Sequence, residues 1–212
     1  MLLRSIVIFF SFVLFGGAAN GGTILVWGDS LSAGYQLRIE QAWPTLLQTR
    51  LSDEGFPHRV VNASVSGETT SGGLTRLPAA LSEHQPDLFI LELGANDGLR
   101  GLQPRLMAEN LETMIRAARE AGARVLLVGM RMPPNYGPTF SRRFEQAFQD
   151  VAQSNEVPLL PFLLEGFAER PEMFLADGIH PNAEAQYIIL DTVWEYLLPM
   201  LKHAADATAA AH

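Results

Sequence analysis

The chain has 212 residues, 48% of them hydrophobic and 18% charged, and contains no cysteine; 15 Lys and Arg against 23 Asp and Glu give a formal charge of −8. That length suits one domain with a full core, and the composition excludes a disordered chain, disulfide staples, a Cys-based zinc site and a thiolate nucleophile. An acidic chain without a Lys/Arg run also lacks the basic face that a nucleic-acid partner requires.

Residues 1–19 (MLLRSIVIFFSFVLFGGAA) place Arg4 before an apolar run, Ile6 to Phe15, followed by the small residues Gly17-Ala18-Ala19. This is the pattern of a cleaved signal peptide, and the run is short for a membrane span. The sequence therefore predicts export to the periplasm or beyond the cell, a mature domain over residues 20–202 and a disordered Ala-rich tail over residues 203–212.

Thr23-Ile24-Leu25-Val26-Trp27 reads as a buried strand ending in Gly28-Asp29-Ser30. Ala42 to Leu51 has its apolar residues at helical spacing, and a second strand from Arg59 breaks at Asn62. A helix over Gly73 to Leu81 precedes a third strand, Leu88 to Leu93, which opens into the loop Gly94-Ala95-Asn96-Asp97-Gly98. Pro104 suits a first helical position, and the helix behind it carries Leu106, Met107, Leu111, Met114, Ile115 and Ala118 on one face until Gly122 ends it. A fourth strand, Val125 to Val128, runs into a Pro-rich loop from Met130 to Pro138. A helix near Arg142 to Gln153, a short strand at Val157 to Leu160 and a last helix over about Ala183 to Leu198 complete the order. Strands with nearly continuous apolar runs, alternating with helices, predict a single three-layer, doubly wound α/β domain around a parallel sheet.

Ligands in such sheets bind beyond the carboxyl ends of the strands, and the polar clusters fall there: Asp29-Ser30, Ser66-Gly67 and Asn96-Asp97, with Asp177 and His180 ahead of the last helix. Together they supply what acyl transfer needs. Ser30, at a strand-to-helix turn, is the candidate nucleophile. His180 is a base near neutral pH, and Asp177, three residues earlier, can orient it. Gly67 allows a close backbone N–H, and Asn96 offers a side-chain NH₂. Singly each piece is an ordinary turn or helix entry; in combination they point to one site. His58, His84, His203 and His212 read as solvated.

Gly28-Asp29-Ser30-Leu31-Ser32-Ala33-Gly34-Tyr35, Asn62-Ala63-Ser64-Val65-Ser66-Gly67-Glu68-Thr69, Gly94-Ala95-Asn96-Asp97-Gly98-Leu99-Arg100-Gly101 and Asp177-Gly178-Ile179-His180-Pro181-Asn182 resemble, in order and spacing, blocks I, II, III and V of the GDSL/SGNH hydrolases. Within that family the chain is similar to the bacterial periplasmic thioesterase, lysophospholipase and arylesterase group, including the stretch Arg131 to Gly137. The resemblance implies a flavodoxin-like five-stranded sheet and a serine esterase without metal or cofactor. It implies Ser30 as nucleophile, His180 as base, Asp177 as its orienter, and an oxyanion hole from the Ser30 and Gly67 N–H groups and the Asn96 side chain. The group's double glycine before Asn is Gly-Ala here, so Ala95 adds a methyl away from the reacting atoms.

The loop Met132 to Phe140 sets Met132, Pro134, Tyr136 and Phe140 as candidate substrate-binding residues, an adaptable wall for an acyl chain. Acyl esters and lysophospholipids are the expected substrates, with thioesters accepted in vitro, because an exported enzyme seldom meets acyl-CoA. The expected partners are thus a small acyl-ester or lipid substrate, with no nucleic acid, no stable membrane insertion after signal removal, and a monomeric state. A carbohydrate O-acetylesterase with a short polar pocket, or a non-catalytic flavodoxin-like module cradling phosphate or flavin, are the competing readings.

Overall fold

The computed structural model describes residues 21–209; the expected signal segment, residues 1–19, lies outside them. Five parallel strands form one sheet in the order β2-β1-β3-β4-β5: β1 Thr23–Gly28, β2 Arg59–Asn62, β3 Leu88–Glu92, β4 Arg124–Val128 and β5 Leu159–Leu160. The register runs Val26↔Asn62 on one side of β1 and Gly28↔Glu92 on the other. Ile24, Leu25 and Val26 of β1 and Leu88 to Leu91 of β3 have no exposed surface. Covering both faces of these strands is why their apolar runs do not alternate. Each such side chain contributes about 1.5–3 kcal/mol by burial, so the two central strands are the rigid frame.

The helices are α1 Ser30–Ala33, α2 Trp43–Asp53, α3 Thr70–His84, α4 Ala95–Leu99, α5 Pro104–Glu120, α6 Pro138–Ser154 and α7 Ala185–Ala209. The helices α3, α5 and α6 pack side by side, and α2 packs with α7, giving the layers of a doubly wound fold. On α5 the buried residues are Met107, Leu111, Met114, Ile115 and Ala118, the face expected from periodicity apart from the half-exposed Leu106.

Several elements depart from expectation for local reasons. The helix α3 begins at Thr70 rather than Gly73, because the Thr69 hydroxyl accepts from the Gly72 N–H at 3.3 Å and caps it. The stretch read as a loop after β3 folds into α4, and α6 starts at Pro138, a residue suited to a first helical turn. Phe140 therefore belongs to a helix, not to the preceding loop. The last helix carries on to Ala209, as its alanine-rich end favours. His58, expected in solvent, is half-buried beside Phe56 (ring centroids 6.4 Å apart), and burial pushes its pKa below the ordinary histidine value.

At the end of β4 the chain must pass β5 at close range. Gly129 N–H donates to the Leu160 carbonyl at 2.7 Å, and a Cβ on Gly129 would lie 2.5 Å from the Pro161 carbonyl oxygen. That neighbour is backbone and cannot rotate away. Gly129→Ala should therefore destabilise the fold by about 1–3 kcal/mol, the usual penalty of overpacking, read as a lower urea midpoint; an unchanged midpoint would show that the strands can part here freely.

Candidate active site

The strand order reverses at β1 and β3, so a crevice opens beyond their carboxyl ends. Asp29 caps α1: its Oδ1 accepts the Leu31 N–H at 3.0 Å. Ser30 becomes the first residue of α1, at the mouth of that crevice. Ser30 Oγ lies 2.9 Å from His180 Nε2, and His180 Nδ1 lies 2.8 Å from Asp177 Oδ2.

The hydrogen bonds decide the tautomer. Asp177 Oδ1 accepts the backbone N–H groups of Ile179 and His180 at 2.9 and 3.0 Å. Those donors, that of His180 foremost, hold the Asp177 carboxyl down at about 2. An ionised carboxylate only accepts, so Nδ1–H donates to it and Nε2 is left to accept from Ser30. The Tyr35 ring lies against the imidazole, centroids 4.3 Å apart and tilted by 36°.

The loop after β2 is tied to the end of β1. Gly28 N–H donates to Ser64 Oγ and Val65 N–H to the Gly28 carbonyl, each at 3.0 Å. Gly67, with φ 78°, has its carbonyl held by Arg100 Nη2 at 2.9 Å. A side chain would be strained in that left-handed conformation. Asn96 Nδ2 donates to Asp29 Oδ2 at 2.9 Å, which brings the Asn96 amide beside the turn that carries Ser30. Asp97 serves the fold instead. Its carboxylate accepts the Thr70 hydroxyl at 2.6 Å and the Thr70 N–H at 2.8 Å, clamping α4 to the start of α3.

The structure thus brings Ser30, His180 and Asp177 together through direct contacts, sets Asn96 against Asp29, the residue before Ser30, and ties the loop that carries Gly67 to Gly28 and Arg100. The four candidate substrate-binding residues separate. Tyr136 and Phe140 line a cavity of about 500 Å³ together with Gly101, Leu102 and Gln103, and the Tyr136 hydroxyl donates to the Leu99 carbonyl at 3.0 Å. Met132 is buried beneath α4, against Gly98. Pro134 is exposed and stands outside that lining. Tyr35, Arg100 and the buried Glu92 at the end of β3 are parts of the site that sequence reasoning passed over. Among the described residues no cluster of three or more His, Asp or Glu is placed to hold a metal ion, and no helix is long and apolar enough to cross a membrane.

The model of the GDSL-like lipase/acylhydrolase family matches residues 26–188, a span that runs from β1 past His180. The chain belongs to the GDSL-like lipase/acylhydrolase family. As a member of that family it is a hydrolase. It is 49% identical over 189 residues to Esterase TesA of Pseudomonas aeruginosa, covering 89% of this chain and 94% of that protein. It is 42% identical over 186 residues to thioesterase 1/protease 1/lysophospholipase L1 of Escherichia coli K12, with 88% of each covered. The crystal structure of the psychrotrophic esterase EstA from Pseudoalteromonas sp., inhibited by monoethylphosphonate, superposes with a TM-score of 0.82 at 37% identity, covering 85% of this chain and 99% of that one.

Two carboxyl groups of this GDSL-family site are shifted in opposite directions, which gives opposite pH dependences. Burial raises Asp29 from the ordinary 3.8 to about 6, outweighing its Leu31 and Asn96 donors. Between those values the folded protein keeps a proton that the unfolded chain has released, so the stability from this group is complete below the lower value and is lost as pH rises through the upper one. Asp177 acts oppositely, losing its stabilisation only as pH falls toward about 2. Urea midpoints measured between about pH 4 and pH 7 should therefore fall more steeply for the wild type than for Asp29→Asn; equal slopes would contradict the assignment.

Proposed function

We propose that the chain is a serine esterase that cleaves acyl esters through an acyl-enzyme, with Ser30 as nucleophile, His180 as base and Asp177 as its orienter. The observation that carries this reading is the unbroken bond path from Ser30 Oγ to His180 at 2.9 Å and on to Asp177 at 2.8 Å. Nε2 takes the hydroxyl proton as Oγ attacks the ester carbonyl, and Asp177 stabilises the imidazolium that results. The Ser30 and Gly67 N–H groups and Asn96 Nδ2 receive the charge on the carbonyl oxygen. Collapse breaks the C–O bond, and the imidazolium returns the proton to the departing alcohol. Water, deprotonated by the same nitrogen, then releases the acid and restores Ser30.

The surroundings favour an apolar acyl group. Tyr35, Val65, Leu102 and Ile179 are large hydrophobic side chains left exposed, each close in the chain to Ser30, Gly67, Asn96 or His180. None of Ser30, Gly67, Asn96 and His180 lines the cavity of Tyr136, Phe140 and Leu102; it is the proposed acyl site because Leu102 follows shortly after Asn96 in the chain, and each methylene buried there would contribute about 0.8 kcal/mol. Alkyl and aryl esters and lysophospholipids are the proposed substrates, with thioesters turned over in vitro; names of the relatives, esterase and thioesterase/lysophospholipase, agree. Periplasmic or extracellular action follows if residues 1–19 direct export.

A fluorophosphonate probe should label Ser30 and fail on Ser30→Ala, and the labelled enzyme should be the one that hydrolyses octanoyl aryl esters faster than acetyl ones. Labelling that persists at another residue would refute the nucleophile, and a strict acetyl preference would favour an O-acetylesterase. Asn96→Ala should lower kcat by about 10²–10³, the usual loss for one oxyanion donor; an unchanged kcat would remove Asn96 from the site.

A further inference from the structure

Behind the nucleophile turn lie two carboxyl groups that the hydrolytic steps do not use. Asp29 is 1% exposed and Glu92, its neighbour at the end of β3, is 0% exposed. Glu92 Oε2 accepts the Asp29 N–H at 3.3 Å and the Ser32 hydroxyl at 2.7 Å. Two charges this close in a dry interior repel, so the pair retains one proton between them.

Donor counting says where the proton sits. Both oxygens of Asp29 are taken by donors, the Leu31 N–H at 3.0 Å and Asn96 Nδ2 at 2.9 Å. A proton on either would turn an acceptor toward a donor. Glu92 has both of its donors on Oε2, while its buried Oε1 has no partner. An ionised Glu92 would leave charge on an oxygen that nothing solvates.

We propose that Glu92 is a positioning residue of the hydrolysis: as the protonated member of a buried carboxyl pair it leaves Asp29 as the carboxylate, and that carboxylate holds the Asn96 amide as an oxyanion donor. An amide NH₂ has two hydrogens; Asp29 engages one, which fixes the amide plane and turns the other toward the reacting carbonyl. Two charged groups face the pair with opposing effects: His180, from the segment before α7, favours the Asp29 charge when it is the imidazolium, and Asp97 of α4 opposes it. Burial pushes Glu92 well above the ordinary carboxylate range, and the adjacent Asp29 charge pushes it the same way. Ser32 of α1 and the Asp29 amide hold Glu92 in place.

The inference rests on reading Asn96 as an oxyanion donor, and the experiment separates the two. Asp29→Asn should lower kcat about 10–10²-fold with KM within about two-fold, as small misplacements of a catalytic group do. In an Asn96→Ala background the same change should cost less than about two-fold, since residues acting through one another are not additive. An equal cost in both backgrounds would overturn the positioning role while leaving Asn96 in the site. A kcat unmoved by Asn96→Ala alone would instead remove the reading beneath it. Glu92→Ala should lower kcat, and Glu92→Gln, which copies the neutral acid, should restore most of the loss. Failure of that rescue would count against a protonated Glu92. NMR of the side-chain carboxyl carbons in the wild type needs no variant to fold: Glu92 should be protonated near neutral pH while Asp29 is ionised, and an ionised Glu92 would end the proposal.

Discussion

A serine hydroxyl and an imidazole 150 residues apart in the chain stand 2.9 Å from each other, and such a bond tolerates only a few tenths of an ångström of drift. Most of the fold is the means of meeting that tolerance. On the serine side, the β1 strand is fixed by neighbours on both sides, and Asp29 caps the short helix that presents Ser30. On the histidine side, the segment before α7 is stapled to itself. Phe174 and Pro181 form an antiparallel bridge, the Leu175 N–H donates to the His180 carbonyl at 2.8 Å, and the Asn182 side chain accepts the Glu184 and Ala185 N–H groups. Gln186 completes the join by accepting the Trp43 N–H at 3.0 Å, tying α7 to α2.

Charge around Ser30 is arranged by depth. Asp177, near the surface, is held ionised by backbone donors and so sets which ring nitrogen carries the proton. Asp29 and Glu92, deep behind the turn, sit where burial resists ionisation. Backbone donors and burial, acting on the same type of side chain, produce opposite protonation tendencies within one site. In the proposed mechanism the Asp29 carboxylate behind Asn96 orients that amide as an oxyanion donor.

The strands and the long helices were legible in the sequence because their signal is periodic burial. Leu88 to Leu91 and the α5 face needed nothing beyond the apolar pattern. The candidate triad was legible because Ser30, Asp177 and His180 recur with Gly67 and Asn96 as polar groups at the strand ends and ahead of the last helix, a combination that no single residue carries. What escaped depends on contacts distant in sequence. The short helix α4 has no periodicity to read, and it is held by the Asp97–Thr70 clamp across 27 positions. Met132 looked like a pocket wall by composition but turns inward under α4. Glu92 did carry a signal, a lone acid closing an apolar central strand, and its meaning appears only when Asp29 and Ser32 are seen around it.

The central claim is geometric: one carbonyl oxygen can meet three donors while its carbon meets Ser30 Oγ. The most direct measurement is a crystal structure of the protein inactivated by a phosphonate. The account predicts a covalent bond from Ser30 Oγ to phosphorus, with the phosphonyl oxygen within hydrogen-bond distance of the Ser30 N–H, the Gly67 N–H and Asn96 Nδ2. A phosphonyl oxygen turned to solvent, with Gly67 and Asn96 out of reach, would contradict it.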